Sequence, residues 1–183
     1  EAMAGHRRVV HLASGTDIAG GYGHPERDFA SGIAGTELVC ESMHAAGIDE
    51  IWFASSGVVY GRPARIPTGE GDGPLLPESH YAAAKAGVNA MTIGFAHAFG
   101  PKVRVNCIIP GPFLTDIADH WDMDAFNKRA AETIFLHRGG QPNEIVGAAL
   151  YFASAASSSS TSPAASRASC TSLAPRWGSR NQV

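Results

Sequence analysis

The 183-residue sequence has no apolar run near the roughly 18–20 residues that a membrane span needs. No membrane partner is therefore expected. Cysteine is scarce: Cys40, Cys107 and Cys170 are odd in number and far apart, and no CxxC occurs. A disulfide framework and a zinc site are both disfavoured, and a reducing cytoplasm fits this usage best. Charge is modest, with 14 Lys and Arg against 17 Asp and Glu and a formal net charge of -3. That balance gives no basic surface for nucleic acid. The N-terminal EAMAGHRRVV lacks the apolar core of a signal peptide. The 8 histidines are scattered without metal-ligand spacing. They read as surface or satisfied core residues, and no metal is expected.

What the chain does have is glycine, alanine and a clear alternation of patterns. Its length suits one domain with a sizeable core. Residues 9–13 (VVHLA) read as a short buried strand, and 14–23 as a Gly-rich turn. Between about 26 and 46, Phe29, Ile33, Leu38, Val39 and Met43 recur near helical spacing, with Gly47 as the expected C-cap. Residues 50–54 form a second buried strand, ended by Ser55-Ser56-Gly57. The stretch 62–77 is a Gly- and Pro-rich loop. Glu78 or Ser79 caps the next helix, over about 81–99. Residues 102–109 form a third strand, and Pro110-Gly111-Pro112 a rigid turn. Weaker helical signals cover about 115–136 and 142–153, with Pro142 near a helix start. Strand, helix, strand, helix, strand, helix is the order of a parallel α/β sheet.

The chain divides at about residue 154. Residues 1–154 carry all of this pattern. Residues 155–183 are rich in Ser, Ala and Pro and are expected to be disordered. All 17 acidic residues precede that tail, whereas Arg167, Arg176 and Arg180 lie in it. A basic partner-binding tail is the alternative reading.

The stretch from Ile51 to Lys85 carries the chemistry. Ser55 and Ser56 end an apolar run. Tyr81 and Lys85 stand four apart at a helix start, so one turn puts phenol and ammonium on one face. A hydroxyl, a phenol and an ammonium together can move a proton to or from a hydroxyl or carbonyl. Each has a plainer reading: Ser56 as a strand end, Lys85 as a solvated helix residue, and Trp52, Tyr60 and Asn106 as packing.

FASSxxVYG, then YxxxK, then RVNxIxPGxxxT, in this order, resemble the short-chain dehydrogenase/reductase superfamily over roughly residues 8–154. VVHLA, IWFASSGVVYG and the 25-residue step from Ser56 to Tyr81 are similar to its extended branch of sugar-nucleotide epimerases and dehydratases. YAAAKAGVNAMT, VRVNCIIPGPFLTDI and RGGQPNEIVGAALYFAS are similar to its classical branch of alcohol and ketone oxidoreductases. The resemblance implies a Rossmann-like parallel sheet with flanking helices, here incomplete, the first strands and the last strand being absent. It implies Ser56, Tyr81 and Lys85 as catalytic residues. Tyr81 would be the acid/base. Lys85, together with the cofactor's positive ring in a water-excluded site, would lower its pKa from about 10 toward 7, a stabilisation of roughly 4 kcal/mol. NAD or NADP would be held by Leu12, Ala13, Ser14, Tyr81, Lys85, Pro110, Gly111, Phe113 and Thr115, although Thr115 also reads as a helix cap for Asp116 onward.

The resemblance also fails in places. A family member begins with a strand and a Gly-rich turn that cradles pyrophosphate. Gly15, Gly20, Gly21 and Gly23 lack that spacing and stand where a fourth strand is expected to end. The asparagine that supports the lysine in many relatives aligns with Gly32. After YFASAAS the family continues with a Thr-Gly turn and a last strand, and a reading-frame shift near Ser157 is one explanation for the tail. The expected activity is NAD(P)-dependent hydride transfer on a small alcohol/carbonyl substrate. One alternative is a nucleotide-sugar epimerase or dehydratase. Another is an inactive fragment or pseudoenzyme acting by association. A homo-oligomer, a dimer through the helices 26–46 and 81–99, is expected in either case.

Overall fold

The computed structural model describes residues 2–15, 23–62, 68, 75–158 and 168–173. Four parallel strands form one sheet in the order β1-β2-β3-β4: β1 Val9–His11, β2 Glu50–Ala54, β3 Arg104–Pro110 and β4 Ala168–Leu173. Phe53 stands opposite His11 on one side and Cys107 on the other. β2 is apolar along most of its length because helices cover both of its faces, as a parallel sheet requires.

A helical arm links β1 to β2. It runs as α1 (Pro25–Phe29), a π-helical segment (Ala30–Ala34) and α2 (Gly35–Ala46). Pro25 occupies the first turn, where a missing N–H costs nothing. Gly47 takes the left-handed conformation at φ 69 and ends the helix as expected, with Ile48 N donating to Met43 O at 3.0 Å. Apolar spacing gives no sign of the π segment. Within it Gly32 faces Ala84, and a Cβ there would lie 3.1 Å from the Ala84 Cβ.

The long helix α3 (His80–Phe99) links β2 to β3, and Ser79 is its cap, accepting from Ala82 N at 3.0 Å. The two weaker helical signals resolve into shorter pieces. Residues Asp116–His120 and Pro142–Ile145 are 3-10 turns, followed by α4 (Met123–Thr133) and α5 (Val146–Ala153). Arg138 forks onto Glu144 at 2.8 and 2.7 Å and fixes the turn before α5.

One face of the sheet buries Ile51, Phe53, Val105, Cys107 and Ile109 against Met43, Val59, Val88 and Ala96. The other packs Trp52 and Ile108 on Phe152 of α5. Fully burying side chains of this size contributes about 1.5–3 kcal/mol each. Below the sheet, the Glu50 carboxylate accepts from Arg8 at 2.9 Å, Arg104 at 3.4 Å and Trp52 Nε1 at 3.1 Å. Both arginines continue to the end of α5, Arg8 to Ala153 O at 2.8 Å and Arg104 to Phe152 O at 3.1 Å. This knot ties α5 to the sheet.

The fold class read from the sequence holds, and β1 has no outer partner strand among the described residues. Val10 and Leu12 are correspondingly exposed. The amendment is at the other edge. Residues 168–173, within the stretch expected to be disordered and without a last strand, pair in parallel with β3. The physical reason is the open edge of β3, whose N–H and C=O groups need partners. The segment ASCTSL carries no apolar alternation that would announce a strand.

Candidate active site

The site forms where β1, β2 and β3 end. Directly after β2, Ser55 is buried and structural: its N–H donates to Ile108 O at 2.8 Å and its hydroxyl to Lys85 O at 3.2 Å. It therefore joins β2, β3 and α3 at one point. Ser56 follows in extended conformation and leads into a 3-10 turn, Gly57–Tyr60. Gly57 lies against the end of β3, where a Cβ would sit 3.3 Å from Pro110 O. The Ser79 cap sets the first turn of α3, and buried Ala82 and Ala84 let that helix approach the sheet closely. Tyr81 then comes close to Ser56, which acts on the phenol as a hydrogen-bonding neighbour and pulls its pKa down. Lys85 follows one turn later.

Lys85 is 5% exposed, so its solvated-helix reading does not apply. Its Nζ donates to Ala54 O at 2.6 Å and stands 5.7 Å from the centre of the Tyr81 ring. Burial pushes its pKa below the usual lysine value, partly offset by Cys107. Tyr81 is shifted upward, first by burial and then by the Asp28 carboxylate, with the Ser56 hydrogen bond pulling the other way. The depression of the Tyr81 pKa by Lys85 is thus not what these side chains alone produce. Burial is the largest cause of the shift, and the Lys85 ammonium is engaged with the Ala54 carbonyl.

The residues expected around a cofactor gather only in part. Ala13 lines the same shallow cleft as Lys85, together with His11, Gly32, Thr36, Phe53, Ala54 and Val88. Leu12 is 67% exposed at the end of β1. Ser14 donates to Gly15 O at 3.2 Å, and Gly15 N to the Ser31 hydroxyl at 3.1 Å, which moors this turn to the helical arm. Pro110 ends β3, and Gly111 lies beside Gly57. Phe113 is displaced from this group: it bridges to Gly140, and a Cβ on Gly140 would strike its ring. Thr115 is exposed at the cap position of Asp116–His120, but its side chain makes no cap bond. Of the candidate phosphate-loop glycines, Gly20 and Gly21 lie outside the described residues.

Two further residues of this region carry no sequence signal. Asp28, in α1, is 5% exposed, and its Oδ2 has no hydrogen-bond partner among the described residues. His11 is 9% exposed, its Nε2 3.0 Å from Thr36 Oγ1. No pattern marks either residue, because a polar side chain in a short strand or helix normally faces solvent. Asn106 is buried in β3, as its packing reading implied, and Trp52 packs while donating to Glu50.

A parallel α/β sheet with a Ser–Tyr–Lys cluster at its strand ends defines a protein of Rossmann-like architecture. Two family models meet on the chain. One described as NAD dependent epimerase/dehydratase matches residues 2–114, and one described as enoyl-(acyl carrier protein) reductase matches residues 74–165. Each covers half of the chain or more. The chain belongs to the short-chain dehydrogenase/reductase superfamily. Among relatives, a 3-oxoacyl-acyl-carrier-protein reductase of Chlamydia trachomatis is 39% identical over 82 residues, 44% of this chain and 33% of that protein. A UDP-glucose 4-epimerase of Corynebacterium glutamicum is 27% identical over 96 residues, 52% of this chain and 29% of that protein. The chain thus spans about a third of the length of these curated relatives. A short-chain dehydrogenase/reductase of Brucella melitensis superposes with a TM-score of 0.70 at 19% identity, covering 92% of this chain and 64% of that one.

Among the described residues no helix is long and apolar enough to cross a membrane.

Proposed function

We propose that the chain carries the proton-transfer half of an NAD(P)-dependent oxidoreductase acting on a small alcohol/carbonyl substrate. The observation that supports it best is Lys85 Nζ 5.7 Å from the centre of the Tyr81 ring, with Ser56 beside the phenol, at the strand ends where such sheets take ligands. The nicotinamide end of a dinucleotide fits these residues. Lys85 keeps N–H donors beyond the one given to Ala54 O, Leu12 is open, and the backbone at Pro110 and Gly111 borders the site. Leu12, Ala13, Ser14, Pro110 and Gly111 would hold that end. A bound nicotinamide supplies or accepts the hydride. Tyr81 gives or takes the proton at the substrate oxygen, Ser56 holds that oxygen, and Lys85 offsets the charge that develops on the phenol.

The upward shift of Tyr81 favours a protonated phenol at neutral pH, the form that donates to a carbonyl. Titration with NADH and NADPH followed by fluorescence tests the reading. Binding by either, with turnover lost in Tyr81→Phe, supports it, and no binding at millimolar cofactor rules it out for this chain.

A nucleotide-sugar epimerase is the second reading. It is favoured by the match of residues 2–114 and by the long connection between Ser56 and Tyr81. Tight retention of oxidised cofactor with no net redox turnover would distinguish it. A homo-oligomer and a cytoplasmic location are further proposals. The first rests on the exposed Leu38, Ile93 and Phe99 of α2 and α3, and sedimentation tests it.

A further inference from the structure

Lys85 is a buried lysine held by a neutral group. It is 5% exposed, its Nζ donates to the Ala54 carbonyl at 2.6 Å, and among the described residues no carboxylate forms an ion pair with it. Ala13, Phe53, Ala54 and Val88 line the cleft around it. The other polar side chains there, His11 and Thr36, contact each other at 3.0 Å. An ammonium in such a place is poorly compensated, and burial, opposed in part by Cys107, favours the neutral amine more than in an ordinary lysine. The amine can donate one hydrogen to Ala54 O and still keep its lone pair. An O–H acid stands beside it: the Tyr81 ring centre is 5.7 Å from Nζ.

We propose that Lys85 is also a nucleophile that captures small aldehydes as a Schiff base, with Tyr81 as the acid, in a reaction that uses no nucleotide. A desolvated lysine beside a proton donor is the arrangement that carbonyl capture needs. The Nζ lone pair forms a bond to the carbonyl carbon, and one Nζ hydrogen passes to the carbonyl oxygen, giving a carbinolamine. The Tyr81 O–H then protonates the hydroxyl, the C–O bond breaks, and water leaves. The remaining hydrogen stays on nitrogen, so the iminium N–H keeps Ala54 O as its acceptor and the phenolate is its counter-charge. Amine, aldehyde and phenol thus become iminium, water and phenolate, with no oxidant or reductant involved. This activity goes beyond the oxidoreductase reading and shares its cleft.

Propionaldehyde with cyanoborohydride, which reduces the imine to a stable secondary amine, tests this on the full chain. Peptide mass mapping reads each site, and the other lysines, Lys102 and Lys128, are exposed internal controls. At neutral pH Lys85 should be alkylated about tenfold faster than either control. Tyr81→Phe should slow Lys85 about tenfold or more and leave both controls unchanged. Lys85 unmodified, or modified no faster than Lys102 and Lys128, overturns the proposal. An unchanged Lys85 rate in Tyr81→Phe overturns the acid role of Tyr81. In concentrated urea the cleft is lost and the three rates should converge; a preference that persists there overturns the assignment to the folded site. The assay contains neither NADH nor NADPH. Failure to bind them would sink the oxidoreductase reading while leaving aldehyde capture measured.

Discussion

Lys85 donates to the carbonyl of Ala54 at 2.6 Å, so the last residue of β2 and the second turn of α3 are held by one charge-assisted bond. The bond aims Nζ across the face of Tyr81. Lys85→Met keeps the length and removes the donor. It should abolish turnover and leave the half-buried Ala54 oxygen without this donor, a cost of about 1–3 kcal/mol. Urea unfolding checks the stability and a coupled redox assay the activity. Wild-type stability would mean that the bond does not position the helix.

The tyrosine should titrate according to its neighbours. Ser56→Ala removes the hydrogen bond that lowers the Tyr81 pKa, so the phenol should ionise at higher pH. Asp28→Asn removes the carboxylate that raises it, and ionisation should move to lower pH. Ultraviolet difference titration against Tyr81→Phe separates this group from the other tyrosines. Shifts of equal sign in the two variants would contradict the geometry.

Stability should fall on the acid side because of His11. Its folded pKa is depressed, so its contribution is present above about 6.5 and is lost as pH falls through the folded value. Thermal unfolding between about pH 7 and 5 should show the loss in the wild type and a flatter profile in His11→Gln. Parallel profiles would assign the acid limb to other groups.

The Glu50 knot should matter more than any surface ion pair. Its carboxylate is 12% exposed and serves two arginines and an indole. Glu50→Ala leaves Arg8 and Arg104 facing each other and should cost about 2–4 kcal/mol, with little relief from salt. Denaturant midpoints at low and high ionic strength measure both effects.

Gly61 permits the chain to leave the site turn. It has φ 55 and ψ -123, and a Cβ there would collide with the Leu76 carbonyl oxygen. Gly61→Ala should destabilise by about 2–4 kcal/mol and loosen the Ser56 end of the site, read as a lower melting temperature together with a shift in Tyr81 ionisation.

The sequence by itself determined the elements and the principal cluster. The apolar run of β2 and the helical spacing of α2 and α3 are local patterns. The four-residue step from Tyr81 to Lys85 needs only one turn of helix to become a shared face. Gly47 and Ser79 could be read as caps because capping depends on the few residues around it. Tertiary structure decided the rest. The upward Tyr81 shift arises from burial and from Asp28, which lies 53 positions away in the chain. His11 and Lys85 line one cleft only because β1 and α3 converge there. β4 exists because β3 presents an open edge, and backbone pairing of that kind leaves no signature in side-chain pattern. The π segment is likewise a matter of contact, since Gly32 must approach Ala84. Local periodicity reports what one element buries, and it carries no information about which charges burial brings together.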